Sequence, residues 1–486
     1  MSAVDEAVTR AHAAFEAATE ASPADRSGWL HALAAILDAN RDELVELAHQ
    51  ETRLPMPRLN GELTRTAFQL RLLADEVSAG EFVDATIDHA DPDWGMGPRP
   101  DLRRMNRPLG VVAVFGASNF PFAFSVLGGD TASALAAGCS VVHKGHPDHP
   151  RLAQRTADLA REALAAAGAP QSLFEFVADR EAGVPLVEHP LVAAVGFTGS
   201  TAGGRALFDR AAARPVPIPF FGELGSTNPV FVTAAAWEAR GDGILRGYAG
   251  SATLGMGQFC TKPGFLVVPD AEPRAEVLAD AAAQSPRFGL LSERLREGFD
   301  GAVDAMIGRS ARELVRLPGD GSSDGDGDGD GGDSPAPVFL SLSAEQVLAD
   351  PTVLEAEMFG PASVVVRGAD ARVLEQVAAT LKGQLTATVW AEPSDDITGL
   401  VGILAGKAGR ILYNDWPTGV TVSYAQQHGG PYPASTAPST TSVGTAAIRR
   451  FLRPVAYQGM PDAALPPELR DANPLGIRRR VDGRWA

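Results

Sequence analysis

Three features of this sequence predict an α/β chain built on parallel sheets. Val111-Val112-Ala113-Val114-Phe115 is a continuous apolar run, the mark of a strand buried on both faces. Short apolar runs after it alternate with helical stretches rich in Ala and Leu, which demands crossovers and hence parallel pairing. After Leu224 the alternation starts again, so a second α/β block is expected.

The elements follow in order. Between Val4 and Gly80, Leu30, Leu33, Ala34 and Leu37 recur at helical spacing, as do Leu44, Leu47 and Ala48, so amphipathic helices open the chain. Ser125 to Gly138 reads as a helix and Val141 to Lys144 as a strand. Arg151 to Ala167 is a helix stopped by Gly168 and Pro170. Leu173 to Val177 and Val192 to Phe197 complete the first set of strands. Asn228 to Val232, Gly264 to Val268, Ala362 to Val366 and Thr386 to Trp390 supply the second. Gly319 to Ser334 contains Gly-Asp repeats. It lacks the recurring apolar residues of a calcium-binding β-roll, so a surface loop is expected there.

Composition narrows the function. The 486 residues are 45% hydrophobic and 21% charged, as in a globular enzyme of two or three domains. A formal net charge of −18 argues against nucleic acid as a partner. Two cysteines, Cys139 and Cys260, are too few for a disulfide scaffold or a cysteine-based metal site. The nine histidines show no paired helical spacing, and no metal is expected. No apolar stretch reaches 18 residues, and the first ten residues carry acids without an apolar core. No membrane partner or secretory leader is expected, and the predicted compartment is the cytoplasm.

Two segments carry chemistry. Cys260 lies in Gly257-Gln258-Phe259-Cys260-Thr261-Lys262-Pro263-Gly264, and Glu223 in Phe220-Phe221-Gly222-Glu223-Leu224-Gly225-Ser226. A thiolate that attacks a carbonyl carbon and a carboxylate that activates water are the parts with which an aldehyde is oxidised through a thioester, the hydride leaving to a nicotinamide. Taken alone, Cys260 reads first as a buried core thiol. The two flanking segments together favour the reactive reading.

Other residues have two readings each. Gly196-Phe197-Thr198-Gly199-Ser200-Thr201-Ala202-Gly203-Gly204 ends a strand and opens a helix. Its free N–H groups can hold a pyrophosphate, with Gly199 and Gly204 giving the backbone room, or it is a plain turn. Lys144 lies at the carboxyl end of a strand, where open sheets bind ligands, or is a surface lysine. Asn119, just past the first strand, can donate to an oxyanion or cap a turn. Phe120, Phe122 and Phe124 line a tunnel or join the core. Arg65 and Gln69, four apart on one helix, point the same way, toward a ligand or toward solvent.

Taken together these segments resemble the aldehyde dehydrogenase superfamily across nearly the whole chain. The markers are Ser118-Asn119-Phe120-Pro121, Lys144, Phe197-Thr198-Gly199-Ser200, Glu223-Leu224-Gly225, Gln258-Phe259-Cys260 and Glu357-Met358-Phe359-Gly360-Pro361. The resemblance implies a Rossmann-like cofactor domain, an α/β catalytic domain and a β-arm for oligomerisation. Residues 1–224 would hold the cofactor, with the N-terminal helices and part of the arm. Residues 225–445 would form the catalytic domain, and 446–486 a C-terminal return and oligomerisation segment. A homodimer or homotetramer is implied.

The same resemblance implies roles. Cys260 is the nucleophile, Glu223 the base for thioester hydrolysis and Asn119 the oxyanion donor. Lys144 reaches the adenosine ribose, Ser200 touches the pyrophosphate, and Glu357 holds the nicotinamide ribose with Phe359 close by. Gly199, Gly204 and Leu224 complete the cofactor cradle. Arg65, Gln69, Phe120 and Phe124 are the candidates for substrate.

A narrower likeness rests on Phe115 to Pro121, Gly128-Gly129-Asp130-Thr131-Ala132-Ser133-Ala134-Leu135 and His428-Gly429-Gly430-Pro431-Tyr432-Pro433. These look like the NADP-linked group that oxidises 2-oxoglutarate semialdehyde (2,5-dioxopentanoate). NADP is expected, NAD being possible, because Pro147 stands three residues past Lys144 where many NAD users carry a carboxylate. Arg180 is a further candidate for the 2′-phosphate. Asp415, Ser423 and Tyr424 depart from the pattern near the substrate mouth. A fatty or general aliphatic aldehyde dehydrogenase is the alternative. An inactive structural homologue is a reading of another class, and Glu223 argues against an enzyme that acylates coenzyme A.

Overall fold

Val111–Phe115 is buried at all five positions, as a strand with neighbours on both sides must be. In the computed structural model, which describes residues 2–269, 274–319 and 334–486, this strand is the centre of a five-stranded parallel sheet. Phe174–Val177 and Ser140–Lys144 lie on one side of it, Val192–Thr198 and Phe220–Glu223 on the other. The chain runs outward from Val111–Phe115 and then returns past it, so the direction of strand order reverses there. The carboxyl ends at such a reversal are where open sheets bind ligands. Phe115, Thr198 and Glu223 all end strands at that edge.

A second sheet has seven strands. Arg312–Arg316, Val338–Ser343, Ala362–Arg367, Phe265–Val267, Val230–Val232, Gln384–Trp390 and Ala408–Tyr413 lie in that order. All pairs are parallel except the edge pair of Arg312–Arg316 with Val338–Ser343. Four of the seven were expected from sequence. The edge strand Arg312–Arg316 escaped because its residues are mostly exposed and charged, so no apolar run marks it. The Gly-Asp tract lies, from 320 to 333, outside the described residues.

A third sheet is antiparallel at its core. Leu452–Gln458, near the C-terminus, pairs with Leu102–Pro108 along seven residues, and Thr86–Asp88 pairs on the far side. Arg103 is buried in it and donates to Asp101, Asp471 and the Leu469 carbonyl, which ties the C-terminal residues to this sheet.

Four helices precede the sheets: Ala3–Ala18, Pro23–Ala39, Arg41–Thr52 and Met56–Ala79. Leu30, Leu33, Ala34 and Leu37 are buried, as their spacing requires. The helix expected from Ser125 starts only at Gly129. Residues 117–128 instead form turns, stitched to the Met56–Ala79 helix. Glu62 accepts the amides of Phe122 (2.8 Å) and Ala123 (2.9 Å), and Arg58 donates to the Asn119 carbonyl (2.7 Å). Gly128 is extended (φ −74°, ψ −168°) and approaches the Ala123 backbone where a Cβ would not fit, so the helix begins after it.

The loops that lead into Phe265–Val267 and Ala362–Arg367, neighbours in the seven-stranded sheet, leave no spare volume between them. Gly257 has φ +66°, and a Cβ there would fall against the Gly360 backbone. Gly257→Ala is therefore expected to cost at least about 1–3 kcal/mol of stability, the usual range for overpacking. It should show as a lower apparent unfolding temperature. An unchanged temperature would mean that these loops are not packed together.

Candidate active site

Cys260 follows a short 3-10 segment, Leu254–Gly257, and its loop is held from below by one amide. Asn228 adopts a left-handed conformation (φ 47°), which Asn tolerates better than most residues. Its Nδ2 donates to the carbonyls of Cys260 (2.8 Å) and Lys262 (2.9 Å). The backbone of Asn228 is fixed in turn by Gln384, whose Oε1 accepts from Asn228 N (3.0 Å), Thr227 N (2.9 Å) and Ser226 Oγ (2.9 Å). Lys262 Nζ then reaches the carbonyls of Met358 (2.6 Å), Gly360 (3.2 Å) and Ala362 (2.6 Å). The loop with the thiol and the loop with Glu357 are thus one hydrogen-bonded unit.

The thiol of Cys260 is pushed up to about 12 by burial, with the carboxylates of Glu357 and Glu223 adding to the effect and Arg65 and Arg410 opposing it. Its Sγ lies 3.6 Å from His428 Nε2. Burial, with Arg410, Arg65 and Arg450 nearby, pushes His428 down to about 3, so the imidazole is neutral. A neutral imidazole beside a thiol can accept a hydrogen bond from it and so orient the sulfur, but an imidazole pushed this low is too weak a base to hold the thiol's proton. The sequence offered no sign of this pair, because 168 residues separate its members.

Glu223 closes the strand Phe220–Glu223 and is 2% exposed. Burial raises its carboxyl to about 8; Arg450 lowers it, Asp130 raises it, and a long contact from Ser435 Oγ (3.5 Å) lowers it. A carboxylate that releases its proton near pH 8 suits a general base for water.

A cavity of about 250 Å³ opens onto Cys260, walled by Phe120, Phe124, Phe259, Arg58 and Arg65. Asn119, next to the lining residue Phe120, donates from Nδ2 to the Gln258 carbonyl (3.0 Å), two residues before the thiol. Arg65 does not face solvent. Its Nε donates to the Val420 carbonyl (3.1 Å), its guanidinium lies 5.4 Å from the Phe124 ring, and its two terminal nitrogens are buried with no protein partner. Gln69 does not reach the cavity. The four residues from Arg65 to Gln69 rise about 6 Å along the helix, and that step buries Gln69 against Gly129. Phe122 is core, 3% exposed.

The opposite side fits a dinucleotide. Ser200 caps the helix Thr201–Ala213, its Oγ accepting from Gly203 N (3.2 Å), and Gly204 packs where any Cβ would strike Leu224. A cavity of about 370 Å³ is lined by Thr201, Gly225, Glu357, Lys382, Gln384 and Tyr432. A Cβ on Gly225 would lie 2.6 Å from Glu357 Oε2 and 2.9 Å from Thr201 Oγ1, so glycine keeps this groove open. Glu357 provides an acceptor for sugar hydroxyls; burial raises its carboxyl and Lys262 opposes that. Phe359 is half-buried, and a Cβ on Gly199 would meet the Phe197 ring. Lys144 ends its strand and is 9% exposed; burial lowers it first, then the exposed Arg180. Asp179 and Asp148 are close enough to oppose that lowering.

With the thiol pushed to about 12 in the unliganded protein, alkylation of Cys260 by iodoacetamide should quicken about tenfold per pH unit from pH 6 to 9, since only the thiolate reacts. Cys139, fully buried and pushed up to about 11, should stay unlabelled. A rate that levels off below pH 8, followed by mass spectrometry, would show that the thiol is already ionised.

Comparison with known proteins agrees with this arrangement. The aldehyde dehydrogenase family profile matches residues 1–436. Alpha-ketoglutaric semialdehyde dehydrogenase 2 of Azospirillum brasilense is 45% identical over 99% of this chain and 91% of its own length. Alpha-ketoglutaric semialdehyde dehydrogenase of Acinetobacter baylyi is 41% identical over the same shares. Among solved structures, gamma-glutamyl-gamma-aminobutyraldehyde dehydrogenase from Burkholderia cenocepacia superposes with a TM-score of 0.78 over 93% of this chain and 88% of that one, at 24% identity, a likeness of fold. The chain belongs to the aldehyde dehydrogenase family and is an enzyme that oxidises aldehydes with a nicotinamide dinucleotide.

Proposed function

We propose that this enzyme oxidises 2,5-dioxopentanoate to 2-oxoglutarate, with NADP preferred, as a cytoplasmic homodimer or homotetramer. The observation that carries the substrate is Arg65, whose two terminal nitrogens are buried without a protein partner in the wall of the cavity that opens onto Cys260. A buried cation of this kind suits a carboxylate at the far end of a short aldehyde, since an unpaired carboxylate is costly to bury. The two relatives named for this semialdehyde support the same substrate. Residues 1–224 hold the cofactor, 225–445 carry the thiol, and 446–486 return to the arm.

Cys260 loses its proton to solvent and, as the thiolate oriented by His428, bonds to the aldehyde carbon. Asn119 and the backbone N–H of Cys260 donate to the resulting oxyanion. The bound nicotinamide supplies the acceptor for the hydride, and Cys260 is left as a thioester. Glu223 takes a proton from water as the water oxygen attacks the acyl carbon. The C–S bond then breaks, and the thiolate and the acid separate.

For the cofactor, Lys144, Arg180 and Arg294 all bear on His146, which burial and these charges push down to about 3. Such a group of cations suits a 2′-phosphate, which carries about −1.5 to −2 charges. Pro147 adds no opposing charge, whereas Asp148 and Asp179 do.

The rings of Phe120, Phe124 and Phe259 support a second reading, an aliphatic aldehyde. Initial rates with 2,5-dioxopentanoate, pentanal and decanal, each with NADP and NAD, separate the two. The dioxo acid with NADP should give the highest kcat/KM. Preference for decanal would establish the second reading, and preference for NAD would show that Asp148 and Asp179 outweigh the cations. Arg65→Ala should raise KM for the dioxo acid about tenfold to a hundredfold, the loss of about 1.5–3 kcal/mol of charged hydrogen bonding. Pentanal should change little, and an equal loss on both would remove Arg65 from the site.

Glu223→Gln should still show a burst of NADPH, followed by a steady state slower by about 10²–10⁴-fold, the usual worth of general-base help. Hydrolysis at the wild-type rate would mean that another group activates the water.

A further inference from the structure

Arg450 is the largest fully buried side chain among the described residues, and no step above uses it. It comes from the 3-10 segment Thr445–Phe451, directly before the arm strand Leu452–Gln458. Its Nη1 lies 2.6 Å from Asp130 Oδ1, and its Nη2 lies 3.5 Å from Glu223 Oε1. The guanidinium carbon stands 5.2 Å from the Phe221 ring centroid. One buried cation therefore faces two buried carboxylates, close to one and loosely set against the other. Nη2 and Nε have no hydrogen-bond partner, nor has Glu223 Oε2.

Asp130 keeps the closer position for a steric reason. Its Oδ2 lies where a Cβ on Gly196 would be 2.8 Å away, so the absence of a side chain at Gly196 lets the carboxylate seat beside its strand. The guanidinium, close to Asp130, leaves Glu223 with only a long contact. The remaining groups that face Glu223 are the Ser435 hydroxyl (3.5 Å), the Gly429 backbone and the Cys260 thiol. His428 adds no charge, being neutral.

We infer that Arg450 is a positioning residue for the hydrolytic carboxylate, and that Asp130 competes with Glu223 for its charge, so that the division of one guanidinium between two carboxylates sets the pH at which the thioester is hydrolysed. The inference rests on Glu223 as the base. Drawing Arg450 toward Asp130 leaves Glu223 the weaker ion pair and the stronger proton acceptor. Drawing it toward Glu223 does the reverse. The raised carboxyl of Glu223, with Arg450 lowering it and Asp130 raising it, agrees with this division.

The test uses p-nitrophenyl acetate, an ester that acylates a reactive thiol without cofactor. The burst of p-nitrophenolate reports acylation of Cys260, and the steady state reports deacylation. Asp130→Asn removes the competitor, and the acid limb of deacylation should move down by about one to three pH units, the usual effect of a nearby opposite charge. Arg450→Met should move that limb up, with about tenfold slower deacylation at pH 7. Burst amplitudes should remain within twofold of the wild type. Opposite shifts in the two variants support the inference. Shifts of the same sign, or slower rates without any shift, overturn it and leave a packing role alone. Should Arg450→Met not fold, Asp130→Asn decides the question by itself: a limb that stays in place overturns the inference. Glu223→Gln is run beside them. If it leaves deacylation unchanged, the assignment of the base fails, and that failure is seen apart from the behaviour of Arg450.

Discussion

The rest of the site depends on the side-chain amide of Asn228. It donates to the carbonyls on both sides of Thr261 and so fixes where Cys260 points. Gln384 holds Asn228 from a strand of the second sheet, and Lys262 passes the constraint to the loop of Glu357. Most of these contacts join buried polar groups. Inside a protein such groups are strongly held when satisfied and costly when they are not. A thiol near a turn is thereby placed with the precision of a strand residue.

Around this knot the protein buries an unusual set of charges. Glu62, Asp130, Glu223, Lys262 and Arg450 are all buried, and Glu357 is half-buried. In each carboxyl group desolvation is the first cause of a raised value. Buried charges are poor sources of stability, since desolvation offsets their attraction. Their use lies in chemistry: burial brings a carboxyl from the acid range to near pH 8 at Glu223 and keeps His428 neutral. Two of the cations differ in kind. Arg450 has its carboxylates supplied by the protein at close range, whereas the terminal nitrogens of Arg65 have no hydrogen-bond partner and only the charge of Glu62 nearby.

The N-terminal helices show how one element serves both stability and site. Leu59, Leu63, Leu70 and Leu73 turn one face of Met56–Ala79 into the first core. Arg58, Glu62 and Arg65, spaced to share another face, hold the loop of Asn119 and wall the cavity. Seen in sequence, that second face reads as solvated, because charge is ordinarily exposed. Only the loop packed over it reveals that it is covered.

Local order was legible in the chain itself. Apolar runs such as Val111–Phe115 announce strands because a strand covered on both faces has no use for polar side chains. The segments around Cys260 and Glu223 were legible as those of a candidate nucleophile and a candidate base, because such groups need particular residue types in tight backbone settings. Edge strand Arg312–Arg316 was hidden by its exposure, and the late start of the helix at Gly129 by bonds from the distant Arg58 and Glu62 that hold the preceding residues in turns. His428, Arg450 and Asp130 were hidden for the same reason: they lie 168, 227 and 93 residues from the groups they serve. Sequence determines which residues can react and which segments are regular, since those properties are local. Which charges meet, and how far burial shifts each one, is decided by the packing of distant segments, because both electrostatic coupling and desolvation act through space and not along the chain.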